Sequence, residues 1–114
     1  TEDGTCIRDY IHVTDLVKAH ILGAKYILKN KKSLLVNLGS NNGYSVKEVI
    51  DIASKYGKVN YDIEGRRDGD PAKLIASNLR AKEILGWTPK LNLDDMIKSD
   101  LDFRKKINRL NKKM

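Results

Sequence analysis

Two guanidinium groups and two carboxylates stand within five residues at Arg66-Arg67-Asp68-Gly69-Asp70. A planar guanidinium fork fits the oxygens of a diphosphate, and a carboxylate accepts from ribose hydroxyls. The glycine lets such a loop turn tightly. A surface loop whose charges merely compensate one another has the same composition, and the residues alone weigh the two readings evenly. Arg8-Asp9-Tyr10 is a second charged group, equally readable as an edge-strand arginine paired with its neighbouring acid. Gly39-Ser40-Asn41-Asn42-Gly43 has the placement of a phosphate-binding loop, between an apolar run and a helix start. It lacks both the G-x-G-x-x-G pattern and the Gly-Lys-Ser/Thr of a P-loop, so a structural turn is the expectation.

Other reactive types lack partners. His12 and His20 have no acid or thiol at metal-ligand spacing and read as packing residues, as does Cys6. A phenol activated by a lysine four residues on would be an acid/base pair. The tyrosines at 10, 26, 44, 56 and 61 are followed at that spacing by Thr14, Asn30, Glu48, Asn60 and Gly65. No catalytic residue is therefore assigned.

The elements that must position these groups follow from periodicity. Arg8 to Val13 favours an extended strand. Thr14 is a candidate N-cap, with Asp15 in the first turn and a core stripe at Val17, Ile21, Ala24 and Leu28, where the helix should end. Leu34 to Leu38 reads as a strand buried on both faces. Ser45 and Glu48 form a capping box, Tyr44 and Val49 are candidates for a staple, and Gly57 is a C′ residue. Val59, Tyr61 and Ile63 alternate with polar residues as in a half-buried strand. A brief extended stretch at Leu74–Ala76 precedes a short helix capped by Ser77 or Asn78 and closed by Gly86, with Trp87 folding back on it. Asn92 caps a last helix carrying Leu93, Met96, Ile97, Leu101 and Ile107 on one face. The expected class is mixed α/β, a small sheet with about four helices.

With 114 residues the chain forms one domain, spanning residues 1–114. No apolar run approaches a membrane span, and Thr1-Glu2-Asp3-Gly4 does not resemble a secretory leader. The missing initiator Met suggests a piece cut from something longer, and the lone Cys6 suits a reducing, cytoplasmic setting. The net charge of +7 is uneven: Arg104, Lys105, Lys106, Arg109, Lys112 and Lys113 crowd the last ten residues or so without an acid among them. Cations at a solvated helix C-terminus explain that run more simply than nucleic acid does. A stacking platform for bases is also lacking, so neither nucleic acid nor membrane is an expected partner.

Taken in order, Asp3 to Leu16 (DGTCIRDYIHVTDL), Asn37-Leu38-Gly39, Ser45 to Val49 (SVKEV), Arg66 to Ala72 (RRDGDPA) and Leu85 to Pro89 (LGWTP) resemble the UDP-glucose 4-epimerases. These belong to the nucleotide-sugar branch of the extended short-chain dehydrogenases. The resemblance covers nearly the whole chain. It implies the C-terminal, nucleotide-sugar-binding portion of a Rossmann-type enzyme whose N-terminal NAD domain lies outside this sequence. It further implies that Arg8 and Arg67 reach the UDP diphosphate and that Asp70 holds the ribose. Tyr10 would line or support the site, with Arg66 a weaker candidate. The whole enzyme would interconvert UDP-glucose and UDP-galactose through an NAD-dependent 4-keto sugar and act as a homodimer. The 114 residues alone would be inactive, bind no NAD, hold UDP at millimolar affinity at best, and expose the Val17–Leu28 helix. Alternatives are an epimerase or dehydratase for another UDP- or dTDP-sugar, a small basic nucleic-acid-binding module, or a non-catalytic scaffold.

Overall fold

The structure, a computed structural model, describes residues 1–113. Seven elements follow one another: β1 (Ile7–Arg8), α1 (Val13–Asn30), β2 (Tyr44–Ser45), α2 (Val46–Ala53), β3 (Lys73–Leu74), α3 (Leu79–Leu85) and α4 (Leu93–Lys113). The four helices and small mixed sheet match the expected class. The sheet has the order β2-β1-β3. β1 pairs antiparallel with β2, Arg8 opposite Tyr44, and parallel with β3, Arg8 opposite Leu74.

Helix ends are fixed by identifiable caps. At α2 the Ser45 hydroxyl accepts from the Glu48 N–H at 3.1 Å and the Glu48 carboxylate accepts from the Ser45 N–H at 3.3 Å, the reciprocal box expected there. At α4 Asn92 and Asp95 exchange the same two bonds at 2.9 and 3.0 Å. α3 closes on Gly86, whose φ of 67° is left-handed, and the Trp87 N–H then reaches back to the Ala81 carbonyl at 3.3 Å. Trp87 thereby enters a cluster with Ala19 and Ala81, against which Ile11, Leu22, Val36, Leu38 and Leu85 pack. Its indole N–H donates to the Asp15 carbonyl at 2.8 Å.

Several expectations are corrected. β1 is only two residues long because Asp9 turns its carboxylate to two other segments instead of continuing a ladder. The N-cap of α1 is His12, not Thr14: the imidazole Nδ1 accepts from the Thr14 N–H at 3.0 Å. His20 is exposed and bonds the Leu16 carbonyl through its Nδ1. The stripe Val17, Ile21 and Leu28 faces solvent, and α1 buries Ala19 and Asp15 instead. Asp15 accepts from the N–H groups of Lys90 and Leu91 at 3.0 and 2.9 Å, which draws that turn of the helix inward. The helix runs two residues past Leu28, to a left-handed Lys31.

Residues 34–38 belong to no strand, and Leu35 is 79% exposed while Val36 and Leu38 pack against the core. Their burial alternates, so only one face is covered. α2 stops at Ala53, and Gly57 does not take the left-handed conformation. The Val59–Ile63 segment likewise finds no neighbouring strand among the described residues, and Ile63 is 88% exposed. The radius of gyration is 17.5 Å, against about 13 Å for a compact domain of this length. The fold is thus an open one, with apolar surface that its own residues leave uncovered.

Candidate functional site

The parallel pairing of β1 with β3 carries Arg8 to the end of the Arg66–Pro71 loop. The Ile7 N–H donates to the Ala72 carbonyl at 2.8 Å and fixes this register. Gly69 takes a φ of 76°, and the Asp70 N–H closes the turn on the Arg67 carbonyl at 3.3 Å. Arg66 to Pro71 then line an open hollow of about 420 Å³.

Three arginines meet at Asp70. Arg8 Nη2 donates to Asp70 Oδ1 at 2.6 Å and to the Pro71 carbonyl at 2.8 Å, while its Nη1 bonds the Ile7 carbonyl at 2.8 Å. Arg67 Nη2 lies 3.4 Å from Asp70 Oδ2, and Arg66 Nη2 lies 3.3 Å from the Asp70 carbonyl oxygen. The Cys6 thiol is 3.7 Å from Asp70 Oδ2. Partial burial opposes ionisation of Asp70. The hydrogen bond and charge of Arg8, with those of Arg67, outweigh it and hold the carboxyl below its usual value. Arg8 is well anchored, whereas the Arg67 side chain is largely exposed and free to swing. Three guanidiniums, of Arg8, Arg66 and Arg67, stand against the two carboxylates of Asp68 and Asp70, leaving a net positive patch suited to an anion.

Of the residues singled out by sequence, the structure therefore brings Arg8, Arg66, Arg67 and Asp70 together. Tyr10 is elsewhere: with Ile11, His12 and Val13 it lines a groove against Met96, Ser99, Asp100 and Phe103 of α4.

Sequence reasoning misses the residue that positions β1. Asp9 does not pair with Arg8. Its Oδ1 accepts from the Ser40 N–H at 2.9 Å and from the Ser40 hydroxyl, and its Oδ2 accepts from the Ala76 N–H. Burial opposes the charge of Asp9, but these bonds prevail and keep its carboxyl below the usual range. The Gly39–Gly43 loop thus does hold an anion, and it is the protein's own. Its glycines serve close packing: a Cβ on Gly39 would lie 2.1 Å from the Ala76 carbonyl oxygen. Asn78 seals the same junction, donating to the Gly39 carbonyl at 2.8 Å and exchanging bonds with Asn41. Asp3 does comparable work beside β2, where bonds from Ser45 and Thr5 hold its carboxyl down from 3.8 to about 2. No side-chain signal in the sequence separates these acids from ordinary surface ones.

Residues 1–99 match the family model described as GDP-mannose 4,6 dehydratase. The UDP-glucose 4-epimerase of Rhizobium leguminosarum bv. trifolii is 42% identical over 110 residues, covering 95% of this chain and 34% of that protein. The UDP-glucose 4-epimerase of Halalkalibacterium halodurans is 46% identical over 108 residues, 92% of this chain and 32% of the relative. Among solved structures, the Stenotrophomonas maltophila UDP-glucose 4-epimerase, with bound NAD and formylated UDP-arabinopyranose, superposes with a TM-score of 0.91 at 36% identity. That match covers 96% of this chain and 33% of the other. The Bifidobacterium longum UDP-glucose 4-epimerase in complex with NAD+ and UDP gives 0.82 at 40% identity, over 93% and 32%. The chain spans about a third of the length of the relatives it matches. It belongs to the GDP-mannose 4,6 dehydratase family and is similar over nearly its whole length to UDP-glucose 4-epimerases.

Proposed function

We propose that this chain is the C-terminal, UDP-sugar-binding portion of a UDP-glucose 4-epimerase, interconverting UDP-glucose and UDP-galactose in galactose metabolism in the cytoplasm. The observation that carries the proposal is the convergence of Arg8, Arg66 and Arg67 on Asp70 beside an open hollow. The solved relative holding UDP supports it. Arg8 and Arg67 face the diphosphate, Arg8 as the fixed donor and Arg67 as the mobile one. Asp70 aligns both forks and offers its remaining lone pairs to the ribose. Arg66 adds charge at the rim, while Tyr10, in the groove against α4, takes no part in this site.

The residues present do not fit a dinucleotide. There is no G-x-G-x-x-G turn, and the N–H group of Ser40, in the loop that leads into α2, is taken by Asp9. NAD, and the tyrosine–lysine pair for proton transfer, belong in this reading to an N-terminal NAD domain outside these 114 residues. What this chain supplies is binding and orientation of the nucleotide. Docking against that domain explains the open fold: Val17, Ile21 and Leu28 of α1 and the uncovered side of residues 34–38 are the surfaces it would cover. The whole protein is then the unit expected to act as a homodimer.

A chimera tests this. When the chain replaces the matching third of the Halalkalibacterium epimerase, the product should interconvert UDP-glucose and UDP-galactose. Arg8→Ala in it should raise KM far more than it lowers kcat. A chimera that folds and binds NAD but turns over neither sugar would overturn the proposal.

A further inference from the structure

The guanidinium of Arg8 is already engaged. A guanidinium grips two phosphate oxygens side by side through Nε with Nη2 or through Nη1 with Nη2, so both forks need Nη2. In Arg8, Nη2 donates to Asp70 Oδ1 at 2.6 Å and to the Pro71 carbonyl at 2.8 Å, and Nη1 donates to the Ile7 carbonyl at 2.8 Å. Among the described residues, that leaves Nε–H and one Nη1 hydrogen, which share no fork. Arg8 therefore meets a diphosphate with neither fork complete.

Asp70 is engaged in the same way. Its Oδ1 holds Arg8, while its Oδ2 faces Arg67 Nη2 at 3.4 Å and the Cys6 thiol at 3.7 Å. The carboxylate stands between two guanidiniums at the hollow lined by Arg66 to Pro71, the position an anionic ligand would take.

The other contacts show which bonds can be exchanged. The Ile7 and Pro71 carbonyls hold Arg8 whether or not the carboxylate does. Arg66 is held by the main-chain carbonyl of Asp70, and the Asp70 N–H closes the turn on the Arg67 carbonyl. The loop thus keeps its shape when the carboxylate lets go. The Arg67 side chain is 85% exposed, so its bond to Asp70 opens readily.

We propose that Asp70 is a built-in stand-in for phosphate, and that the nucleotide binds by exchange. The diphosphate takes Arg8 and Arg67 from the carboxylate, and the released carboxylate accepts from the ribose hydroxyls. Arg8 then offers Nε–H, one Nη1 hydrogen and the freed Nη2 hydrogen. The two halves of the nucleotide assist one another, because the phosphates free the group that the ribose needs. A phosphate without a ribose must displace Asp70 and gains nothing from releasing it. The exchange therefore makes the site selective for nucleoside diphosphates over inorganic anions. It presupposes the reading in which a nucleotide binds at this loop.

Amide NMR titrations of the labelled 114-residue chain with uridine, pyrophosphate and UDP test it. In the wild type, saturating pyrophosphate should tighten uridine binding, read at Asp70, by about fivefold, the lower end of couplings between sites. Asp70→Asn should tighten pyrophosphate binding by about fivefold, the order of one partly exposed ion pair, and should abolish the coupling to uridine. Asp70→Ser, which keeps a polar group without the charge, should behave alike. Asp68→Asn makes the same change of charge at an exposed position of the loop and should alter pyrophosphate binding far less. Uridine and pyrophosphate that bind the wild type independently, or that compete, overturn the exchange. So does an Asp70 variant with a dispersed amide spectrum that binds pyrophosphate no tighter than the wild type, and so does an equal gain in Asp68→Asn. Where one of these results accompanies UDP shifts at Arg8 and Arg67, the nucleotide site stands and the exchange alone falls. A wild type that UDP does not shift removes the site itself, and the exchange with it.

Discussion

Replacing Asp9 by alanine should loosen the whole junction behind the arginine site. The carboxylate accepts from two backbone N–H groups, of Ser40 and Ala76, and from the Ser40 hydroxyl. The hydroxyl can rotate to another acceptor, but the two N–H groups cannot. Leaving each unpaired costs about 1–3 kcal/mol, so about 2–6 kcal/mol for both. Asp9 is only half-buried, and water entering the vacated space should bring the loss to about 2–3 kcal/mol. That is a large share of the roughly 5–15 kcal/mol of a typical domain. With a urea slope of about 1–3 kcal/mol/M, the unfolding midpoint should fall by about 0.7–3 M. Asp9→Asn should lie between the two, since its amide keeps one acceptor and turns a donor toward the other N–H. Urea unfolding followed by Trp87 fluorescence measures this directly, because Trp87 is buried in the core cluster. An Asp9→Ala protein within about 0.5 kcal/mol of wild type would show that this carboxylate does not position β1.

Acid should unfold the protein through carboxyls with lowered values. Asp3 is held near 2, and Asp9 and Asp70 are also below their usual range. Their contribution is present above about pH 4, the unfolded value, and is lost as pH falls toward about 2; Asp3→Asn should flatten that part of a circular dichroism titration. Gly39→Ala should lower thermal stability sharply, because its Cβ would collide with the Ala76 carbonyl, while Gly57→Ala, which meets nothing within 4 Å, should be neutral or slightly stabilising by calorimetry. Trp87→Phe should cost about 1–2 kcal/mol in a denaturant melt, from the lost bond to the Asp15 carbonyl and the smaller ring. Lys47→Ala, by contrast, should change stability by less than about 0.5 kcal/mol, since its pairing with Asp51 is exposed.

What can be read from this sequence is mostly local. The Ser45/Glu48 box, the Gly86 turn with Trp87 behind it and the Asn92 cap all depend on residues a few positions apart, and all are present. The grouping of Arg66, Arg67 and Asp70 is visible for the same reason. The features that cannot be read involve partners distant in sequence. Leu34–Leu38 and Val59–Ile63 have strand-like patterns but meet no strand among the described residues, and a pattern cannot supply the ladder it needs. The stripe Val17, Ile21, Leu28 reads as core because apolar periodicity reports a face that wants covering, not what covers it. Asp9 and Asp15 look ordinary because their partners are backbone N–H groups and a hydroxyl 31 to 76 residues away, and Asp3 because it joins the nearby Thr5 to Ser45, 42 residues on; nothing in residue type marks such a distant donor.

If Arg8, Arg67 and Asp70 hold the diphosphate and ribose of UDP, the isolated chain should retain a measurable part of that binding. Two or three charge-assisted contacts at about 1.5–3 kcal/mol each, offset by the cost of association, give an affinity in the millimolar range, near about −4.1 kcal/mol. The direct test is an amide NMR titration of the isotopically labelled chain with UDP, run beside one with inorganic phosphate. Saturable shifts at Arg8, Arg67 and Asp70 with UDP are expected, with weaker ones from phosphate, and all should be lost in Arg8→Ala. Equal shifts with phosphate, or UDP shifts centred away from these residues, would contradict a nucleotide site at this loop.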